Sequence, residues 1–319
     1  MRAPDFATPT PRPRDAHTPL AIMLVLTQVS VGALAVALAA RWLIGDAAWA
    51  SLRMPVGLVA LATCFAGLAA STCHLGRPLY AFRAVLGLRT SWLSREIVVF
   101  GGYVGAATAL VAAWWLNVSA VIDAGLHIAA VGVGALGVFC SAMIYHDTRR
   151  VYWRLTRSGT TFALTTLLGG CAVLAAVIVI AGDWNGATLP VSQLCRAMLI
   201  VSVAVLAFVK LTLDVWPVVR PAPLGQTALC VTSVLLRGAK RRVLVARVMV
   251  GAVAALLLPA TLLTNPTGLI SPAMSGLALV ALIAGELLER HLFFAVVDLP
   301  RMPGVVPTDG ASAHGRAAV

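Results

Sequence analysis

Charged residues are scarce in this chain, and acidic residues are the scarcest of them. Only 11% of its 319 residues are charged, whereas ordinary soluble domains carry about 25%. Twelve acidic residues stand against 24 basic ones, and the formal net charge is +12 at pH 7. Because 60% of the residues are hydrophobic, too few polar side chains remain to coat a water-soluble surface. This balance excludes a soluble globular fold and predicts an integral membrane protein.

The sequence also lacks paired cysteine motifs. Its six cysteines show no CxxC spacing and fall mostly inside apolar segments, so we interpret them as small buried hydrophobic residues. A cleavable signal peptide is not expected, because residues 1–19 contain five prolines and little apolar content. We predict a disordered N-terminal tail over 1–19, a transmembrane domain over 20–298 and a disordered C-terminal tail over 299–319.

Long apolar runs dominate the rest of the chain. A bilayer core about 30 Å thick requires about 20 apolar residues per helix. Eight runs meet this length: 20–44, 54–73, 96–119, 121–144, 162–182, 194–216, 243–264 and 271–297. The predicted fold is therefore an all-α membrane protein, a bundle of eight transmembrane helices, in which a tight turn near 117–120 joins the third helix to the fourth.

The basic residues between the runs lie mostly on one side. With eight spans, both termini share a side with the loops that follow the second, fourth and sixth helices. That side holds 19 of the 24 lysines and arginines, whereas the opposite side holds Arg41, Arg53 and Arg196. Because cytoplasmic loops are enriched in lysine and arginine, both termini and these loops are predicted to be cytoplasmic.

Ionisable side chains within the spans or at their ends are functional candidates, because their burial in hydrocarbon is costly. Glu286 lies a turn deeper than the other charged residues of the last helix, so we expect a proton-transfer or helix-clamping role for it. The same two roles are considered for His146, which closes the fourth helix. We interpret Lys210 and Asp214 as an i,i+4 pair whose lysine reaches the interface, and His127 as a packing histidine.

His74 and Glu96 bracket the connection between the second and third helices. This connection contains a proline, two glycines, four arginines and three aromatic residues, a composition typical of a stretch that lies on the membrane surface. Imidazole can hydrogen-bond to a carbonyl or hydroxyl oxygen, and a partly buried carboxylate can exchange a proton. A quinone headgroup requires both abilities. The pair therefore predicts a quinone site, with a basic loop that contacts lipid phosphates as the alternative.

Three stretches of the chain resemble those of one family. They are CHLGRPLYAFRAVLGLRTSWLSREI at 73–97, CSAMIYHDTRR at 140–150 and GELLERHLFF at 285–294. All three are similar to stretches of the membrane anchor subunits of dimethyl sulfoxide reductase-type molybdoenzymes, and the eight-helix layout extends the resemblance over nearly the whole chain. The resemblance implies an anchor that passes electrons between quinone and an iron–sulfur subunit. Molybdopterin and iron–sulfur clusters would belong to the partner subunits only, with no haem.

The resemblance implies quinol-binding roles for His74 and Glu96. Arg77 and Arg95 are expected to orient the headgroup or to stabilise negative charge on it. The substrate would be menaquinone or ubiquinone in a bacterial inner membrane. The chain itself is expected to carry no catalytic residue and no metal, as an enzyme subunit rather than an enzyme. The basic loops 77–95 and 149–157 are expected to dock the iron–sulfur partner.

The charge distribution departs from the usual picture of this family, because it places the partner subunits in the cytoplasm. Family members that resemble the anchors of sulfite-oxidising complexes also have their partner subunits in the cytoplasm. The direction of electron flow and the substrate of the catalytic partner stay open. Two other functions also stay open: a secondary transporter of a small solute, and a purely structural anchor without a quinone site.

Overall fold

The computed structural model describes residues 18–72, 83, 85–184, 191, 193–220, 227–264 and 270–297. Nine α-helices cover this part of the chain: α1 (Thr18–Ile44), α2 (Asp46–Thr72), α3 (Trp92–Trp115), α4 (Ala120–Asp147), α5 (Leu155–Trp184), α6 (Gln193–Val219), α7 (Thr227–Arg237), α8 (Arg241–Thr264) and α9 (Ile270–Ala295). A short 3-10 helix, Val151–Trp153, precedes α5. No strand occurs among the described residues, which confirms the all-α class.

Eight of these helices coincide with the eight predicted apolar runs. The additional helix, α7, has 11 residues, too few to cross a bilayer, and the run-length criterion missed it. Within the described part of the chain, seven helices are long and apolar enough to span a membrane: α1 to α6 and α8. The chain is therefore a multi-pass membrane protein. Of the predicted tails, only Thr18 and Pro19 are described, and both already belong to α1.

The central pair of the bundle is α1 and α5. Helices α2 and α4 pack against this pair, and α3 packs on α2 and α4. Helices α6, α8 and α9 also pack against the pair, mainly on α5. Gly32 and Gly170 let the two backbones touch, because a Cβ atom on Gly170 would lie 2.2 Å from the carbonyl oxygen of Gly32. Small residues favour such close approach inside membranes, where packing rather than the hydrophobic effect holds helices together.

Two tight turns join the first four helices. Gly45, with φ +86°, separates α1 from α2, a backbone conformation that glycine adopts without strain. The turn between α3 and α4 contains Asn117 with φ 49°, and its side-chain oxygen accepts a 2.5 Å hydrogen bond from Arg53. The predicted turn near 117–120 is thus confirmed.

The outward faces of the helices are apolar. On α6, the exposed large side chains recur at helical spacing and include Leu194, Met198, Val201, Val205 and Phe208. A continuous apolar face of this kind is suited to lipid acyl chains and not to water. Polar and charged groups are accordingly drawn into the bundle, where they face one another.

Candidate functional site

Glu96 lies in the second turn of α3, with its carboxyl group buried between α3 and α4. The residue is only 3% exposed. Ser141 of α4 donates a hydrogen bond to its Oε1 atom, and the same hydroxyl lies 3.2 Å from the carbonyl oxygen of Gly137. The start of α3 is held in place by Ser91, whose side chain accepts a 3.3 Å hydrogen bond from the backbone N–H of Ser94. A buried, hydrogen-bonded carboxyl group on a capped helix can exchange a proton at a defined position.

Arg95 is adjacent to Glu96 in sequence, but its guanidinium group is committed to the chain that leads into α3. Nε donates a 2.8 Å hydrogen bond to the carbonyl oxygen of Leu88, and Nη2 donates a 2.9 Å bond to that of Arg89. The guanidinium carbon also lies 4.1 Å from the ring centroid of Trp92. These contacts fix the entry to α3. Any contact between Arg95 and a quinone stays a prediction.

Of the other predicted site residues near this end, the structure describes His146 but not His74 or Arg77. His74 and Arg77 lie outside the described residues. His146 is exposed at the end of α4, and its Nδ1 accepts a 3.3 Å hydrogen bond from the backbone N–H of Leu155, the first residue of α5. This contact caps α5 and is consistent with a helix-clamping role for His146. A proton-transfer role for His146 stays a prediction.

The described parts of the three stretches that resemble the anchor family meet at one end of the bundle. Glu96 of the first stretch contacts Ser141 of the second. Tyr145, one turn after Ser141, packs edge-on against Phe293 of the third stretch, with ring centroids 5.1 Å apart. Trp153 stacks on the same ring at 5.4 Å, and its Nε1 donates a 3.0 Å hydrogen bond to the backbone carbonyl of Phe293. Distant parts of the sequence thus form one local structure.

Glu286, in α9, is fully buried and has three partners. Lys210 of α6 lies 2.6 Å from its Oε2 atom, and Thr165 of α5 donates a 2.7 Å hydrogen bond to the same oxygen. Arg247 of α8 donates a 2.9 Å hydrogen bond to Oε1. This carboxylate joins α5, α6, α8 and α9 at one point. The proton-transfer or helix-clamping role of Glu286 stays a prediction.

The expected pairing of Lys210 with Asp214 is wrong. Lys210 is 1% exposed and turns inward to Glu286, whereas Asp214 pairs with the Nε of Arg247 at 3.1 Å. A lysine this deep in the bundle gains more from a fully buried carboxylate on a facing helix than from the neighbouring turn. Gly251 and Gly285 leave the space that Arg247 occupies, because a Cβ atom on either would lie within 3.0 Å of its Nη1.

Glu289 and Arg290 extend the cluster towards α1. Nη2 of Arg290 lies 3.4 Å from Glu289 and donates 3.1 Å hydrogen bonds to Thr165 and to the side-chain oxygen of Gln28. Arg290 is fully buried, and its guanidinium carbon lies 4.2 Å from the ring centroid of Phe162. The sequence pattern alone is equally compatible with a solvated helix end here, since position along a helix does not reveal which side chains turn inward.

Together these side chains form what we call the ion cluster: Lys210, Asp214, Arg247, Glu286, Glu289 and Arg290. Three cations match three anions, so the formal charges balance in a low-dielectric interior. A cavity of about 10 Å³ adjoins Arg247 and Glu286 and is otherwise lined by Gly251 and apolar side chains. This volume is enough for about one water molecule.

The opposite end of the bundle contains a second polar group. His127 is fully buried, and its Nε2 lies 2.9 Å from the carbonyl oxygen of Leu34. Its ring packs on Trp49 and Trp114, and Asp123 accepts a 2.6 Å hydrogen bond from the Nε1 of Trp114. These contacts agree with a packing histidine.

Metal ligation finds no support in the described part of the chain. No group of three histidine, cysteine, aspartate or glutamate side chains there is arranged to hold a metal ion, and its five cysteines are not in disulfides.

Just outside the spans, burial raises the pKa of the Tyr152 hydroxyl, which accepts a 3.1 Å hydrogen bond from Arg157.

The helical bundle and its buried carboxylates place this protein in a general class, that of multi-pass membrane proteins with ionisable groups gathered at one end. Comparison with known families then shows where in that class it belongs. Residues 15–296 match the model of the DMSO reductase anchor subunit (DmsC), so the chain belongs to that family. It is thus a membrane anchor subunit of an oxidoreductase, as the resemblance implied.

One curated relative adds a second likeness. The chain is 39% identical over 103 residues to the C subunit of a sulfite dehydrogenase from Allochromatium vinosum. The aligned region is 29% of this chain and spans 32% of the relative's length. The likeness therefore concerns about a third of that protein.

Proposed function

We propose that this chain is the quinone-interacting anchor of a molybdopterin and iron–sulfur oxidoreductase. The observation that carries the proposal is Glu96, a buried carboxyl group with a hydroxyl partner, at the end of the bundle where the family-like stretches converge. Family membership supports the anchor role. The molybdopterin and iron–sulfur groups belong to the partner subunits, and the membrane is the bacterial inner membrane.

In this proposal His74 hydrogen-bonds a quinone oxygen and Glu96 exchanges the proton. Reduction of quinone takes up two electrons and two protons, and its oxidation releases them. Glu96 donates a proton in the first direction and accepts one in the second, while Ser141 holds its carboxyl group in place. Arg77 is the cation proposed to orient the headgroup, and Arg95 contributes by fixing the start of α3.

The likeness to a sulfite dehydrogenase subunit favours the oxidative direction. The catalytic partner would oxidise a sulfite-like sulfur oxyanion, and electrons would pass through the iron–sulfur subunit to quinone. The dimethyl sulfoxide reductase-like direction is the alternative. Stopped-flow measurements on the purified complex, with quinol in one experiment and quinone in the other, distinguish the two directions of electron flow. The form of quinone that exchanges electrons with the clusters identifies the direction.

The test of the quinone site uses Glu96→Gln and His74→Ala in the assembled complex. Both variants should lower quinone-coupled turnover by about a hundredfold, because a proton-transfer group contributes about 10²-fold or more. Turnover with an artificial dye should be unchanged, since the dye bypasses the anchor. Asp123→Asn, a buried carboxylate at the opposite end, is the matched control. Normal quinone coupling in Glu96→Gln would contradict the assigned site.

We further propose that α9 is the eighth span and that both termini are cytoplasmic. Its 26 residues reach about 39 Å at about 1.5 Å per residue, enough to cross a bilayer core. The strong bias of lysine and arginine towards one side supports the orientation. The basic loops on that side would then dock the iron–sulfur subunit in the cytoplasm.

A second candidate function is secondary transport, and the ion cluster favours it. Transporters place charges within the bundle, and here six ionisable side chains lie together between α5, α6, α8 and α9. Three of them, Lys210, Glu286 and Arg290, contact Thr165. Proteoliposomes that contain the chain alone separate the two functions. Proton or solute flux without partner subunits would support transport. Vesicles that show neither proton nor solute flux would support the anchor function.

A further inference from the structure

A short, strongly basic segment joins α7 to α8. We call residues 237–242 the basic turn; its cations are Arg237, Lys240, Arg241 and Arg242. The sequence has no acidic residue between Asp214 and Glu286, so no carboxylate of this segment offsets the four positive charges. Asp214 and Glu286 are themselves paired with Arg247 inside the bundle.

Two of the four cations are bound to the protein. Arg237 donates hydrogen bonds from Nε and Nη2 to the backbone carbonyl of Val218, the first of them 3.1 Å long. Nζ of Lys240 lies 3.2 Å from Nε2 of His291 on α9. These two contacts hold the basic turn beside the end of α6 and against α9.

The side chains of Arg241 and Arg242, by contrast, point away from protein partners. Both are exposed, and within the described part of the chain neither forms a hydrogen bond or an ion pair through its side chain. Arg220, also exposed, lies with its guanidinium carbon 5.0 Å from the ring centroid of Trp216. Trp216 is 49% exposed, and exposed tryptophans are typical of the level of the lipid headgroups. The free arginines therefore lie at the end of α6 and α8 where headgroups are expected.

Arg242 is the first residue of an exposed row on α8. Val245, Met249, Val253 and Leu256 follow it at intervals of three or four residues, so all of them lie on one face of the helix. Each of these four apolar residues is at least 50% exposed. The row is about 21 Å long at about 1.5 Å per residue, which is more than half of a hydrocarbon core about 30 Å thick. It therefore has the length that one lipid acyl chain requires.

We propose that the basic turn binds an anionic phospholipid, with its phosphate at Arg241 and Arg242 and an acyl chain along the exposed row of α8. Arginine forms paired hydrogen bonds with phosphate oxygens. Charge complementarity selects an anionic headgroup, because the turn has no carboxylate to pair with the ammonium group of a zwitterionic lipid. The apolar row selects a lipid over a soluble subunit, since α8 is long and apolar enough to span the membrane. This site is independent of the proposed quinone function.

The test measures lipid binding to the full chain in neutral detergent, by native mass spectrometry with added dioleoylphosphatidylglycerol or dioleoylphosphatidylcholine. The wild-type chain should bind the anionic lipid more tightly. The double variant Arg241→Gln/Arg242→Gln should bind it about 25-fold more weakly, because each cation near the surface contributes about fivefold. Its affinity for phosphatidylcholine and its melting temperature without added lipid should not change, since both side chains are exposed.

The matched control is Arg149→Gln/Arg154→Gln, which removes two exposed arginines beside the short 3-10 helix. It should bind phosphatidylglycerol as the wild type does. Phosphatidylglycerol should raise the melting temperature of the wild type and of this control, because a ligand of the folded state stabilises it. Inorganic phosphate alone should not raise it, since phosphate cannot occupy the apolar row.

Equal affinity of the wild-type chain for the two lipids would overturn the proposal, as would an unchanged affinity for phosphatidylglycerol in Arg241→Gln/Arg242→Gln. Stabilisation by inorganic phosphate as strong as that by phosphatidylglycerol would show a simple anion site and would also overturn it. The same holds if this double variant binds lipid normally but loses the iron–sulfur subunit from the purified complex, because the basic turn would then dock a protein.

Discussion

Among single residues, the buried carboxylates differ in how they are compensated. Glu286 is held by a lysine, an arginine and a threonine, whereas Glu96 has the hydroxyl of Ser141 as its hydrogen-bond donor. A carboxylate with two cations beside it is stabilised as an anion. One with only a neutral donor can take up and release a proton at lower cost. The proposed roles differ accordingly, with Glu286 as a helix clamp and Glu96 as the group that exchanges a proton.

Ser141→Ala tests the partner of Glu96. Loss of a hydrogen bond to a buried charged group costs about 1.5–3 kcal/mol, so quinone-coupled turnover should fall about ten- to a hundredfold. Dye-linked turnover and the yield of assembled complex should not change. Thr212→Ala, which removes an exposed hydroxyl on α6, is the control. Equal rates in the two variants would show that Ser141 does not support proton exchange at Glu96.

The pair of Lys210 and Glu286 is suited to a double-mutant cycle. Lys210→Met should destabilise the protein by about 3–5 kcal/mol, because it leaves a buried carboxylate with an excess negative charge. Glu286→Gln should destabilise it similarly, because it leaves an excess positive charge. The double variant restores charge balance, so it should be more stable than the sum of the single effects predicts.

Thermal unfolding in detergent, followed by size-exclusion chromatography, measures the stability of all three variants. Arg241→Met, an exposed cation at the start of α8, is the control and should leave the melting temperature unchanged. Strict additivity of the two single effects would contradict the direct contact between Lys210 and Glu286.

Among the helices, the contact between α1 and α5 organises the bundle. The two helices touch through glycine, and every other spanning helix except α3 packs against at least one of them. Close backbone contact leaves no room for a side chain at Gly32 or Gly170. The polar groups that α1 and α5 contribute, Gln28 and Thr165, are therefore held at fixed positions next to Arg290.

Gly170→Ala should disturb this contact. The new Cβ atom would overlap the backbone of Gly32, and forcing two packed helices apart costs about 1–3 kcal/mol. Gly105→Ala on α3 is the matched control, because nothing lies within 4 Å of its Cβ position. It should leave the stability unchanged or raise it by up to about 1 kcal/mol. A Gly170→Ala protein with unchanged melting temperature would show that α1 and α5 can adjust.

Across the whole molecule, polarity is distributed unevenly between the two ends. One end gathers Glu96, the ion cluster and most of the arginines in the described part of the chain, and the other carries the group around His127 and Asp123. An anchor that exchanges electrons with a docked partner requires its quinone site and its docking surface on the same side. The observed asymmetry fits that requirement.

Purification from native membranes in mild detergent tests the assembly. A molybdopterin subunit and an iron–sulfur subunit should co-purify in stoichiometric amounts, with molybdenum and iron detectable by elemental analysis. A chain that purifies alone and without metal would argue against the anchor assembly and favour the transporter.

Orientation is a separate prediction for the whole molecule. A fluorescent reporter that folds only in the cytoplasm, fused after Arg316, should be active, because the basic side of the bundle faces inward. An alkaline phosphatase fusion at the same position should be inactive, since it requires export. An inactive fluorescent reporter and an active alkaline phosphatase fusion would place the partner subunits on the outer face of the membrane and would reverse the proposed docking side.

The apolar runs, the helical class and the family follow from the sequence alone. Length and polarity of an apolar run are local properties, and a lipid environment leaves helices as the form that satisfies the backbone of such runs. Eight of the helices and the turn at Asn117 were therefore predictable, as were Glu96 and Glu286 as buried candidates.

Which charges pair depends instead on tertiary packing. Spacing along α6 suggested Lys210 with Asp214, but the rotation and depth of α6 against α9 turn the lysine to Glu286. The approach of Gly32 to Gly170 and the inward turn of Arg290 arise in the same way. Partner choice in a helical bundle depends on how helices face one another, and the pattern of a single helix does not contain that information.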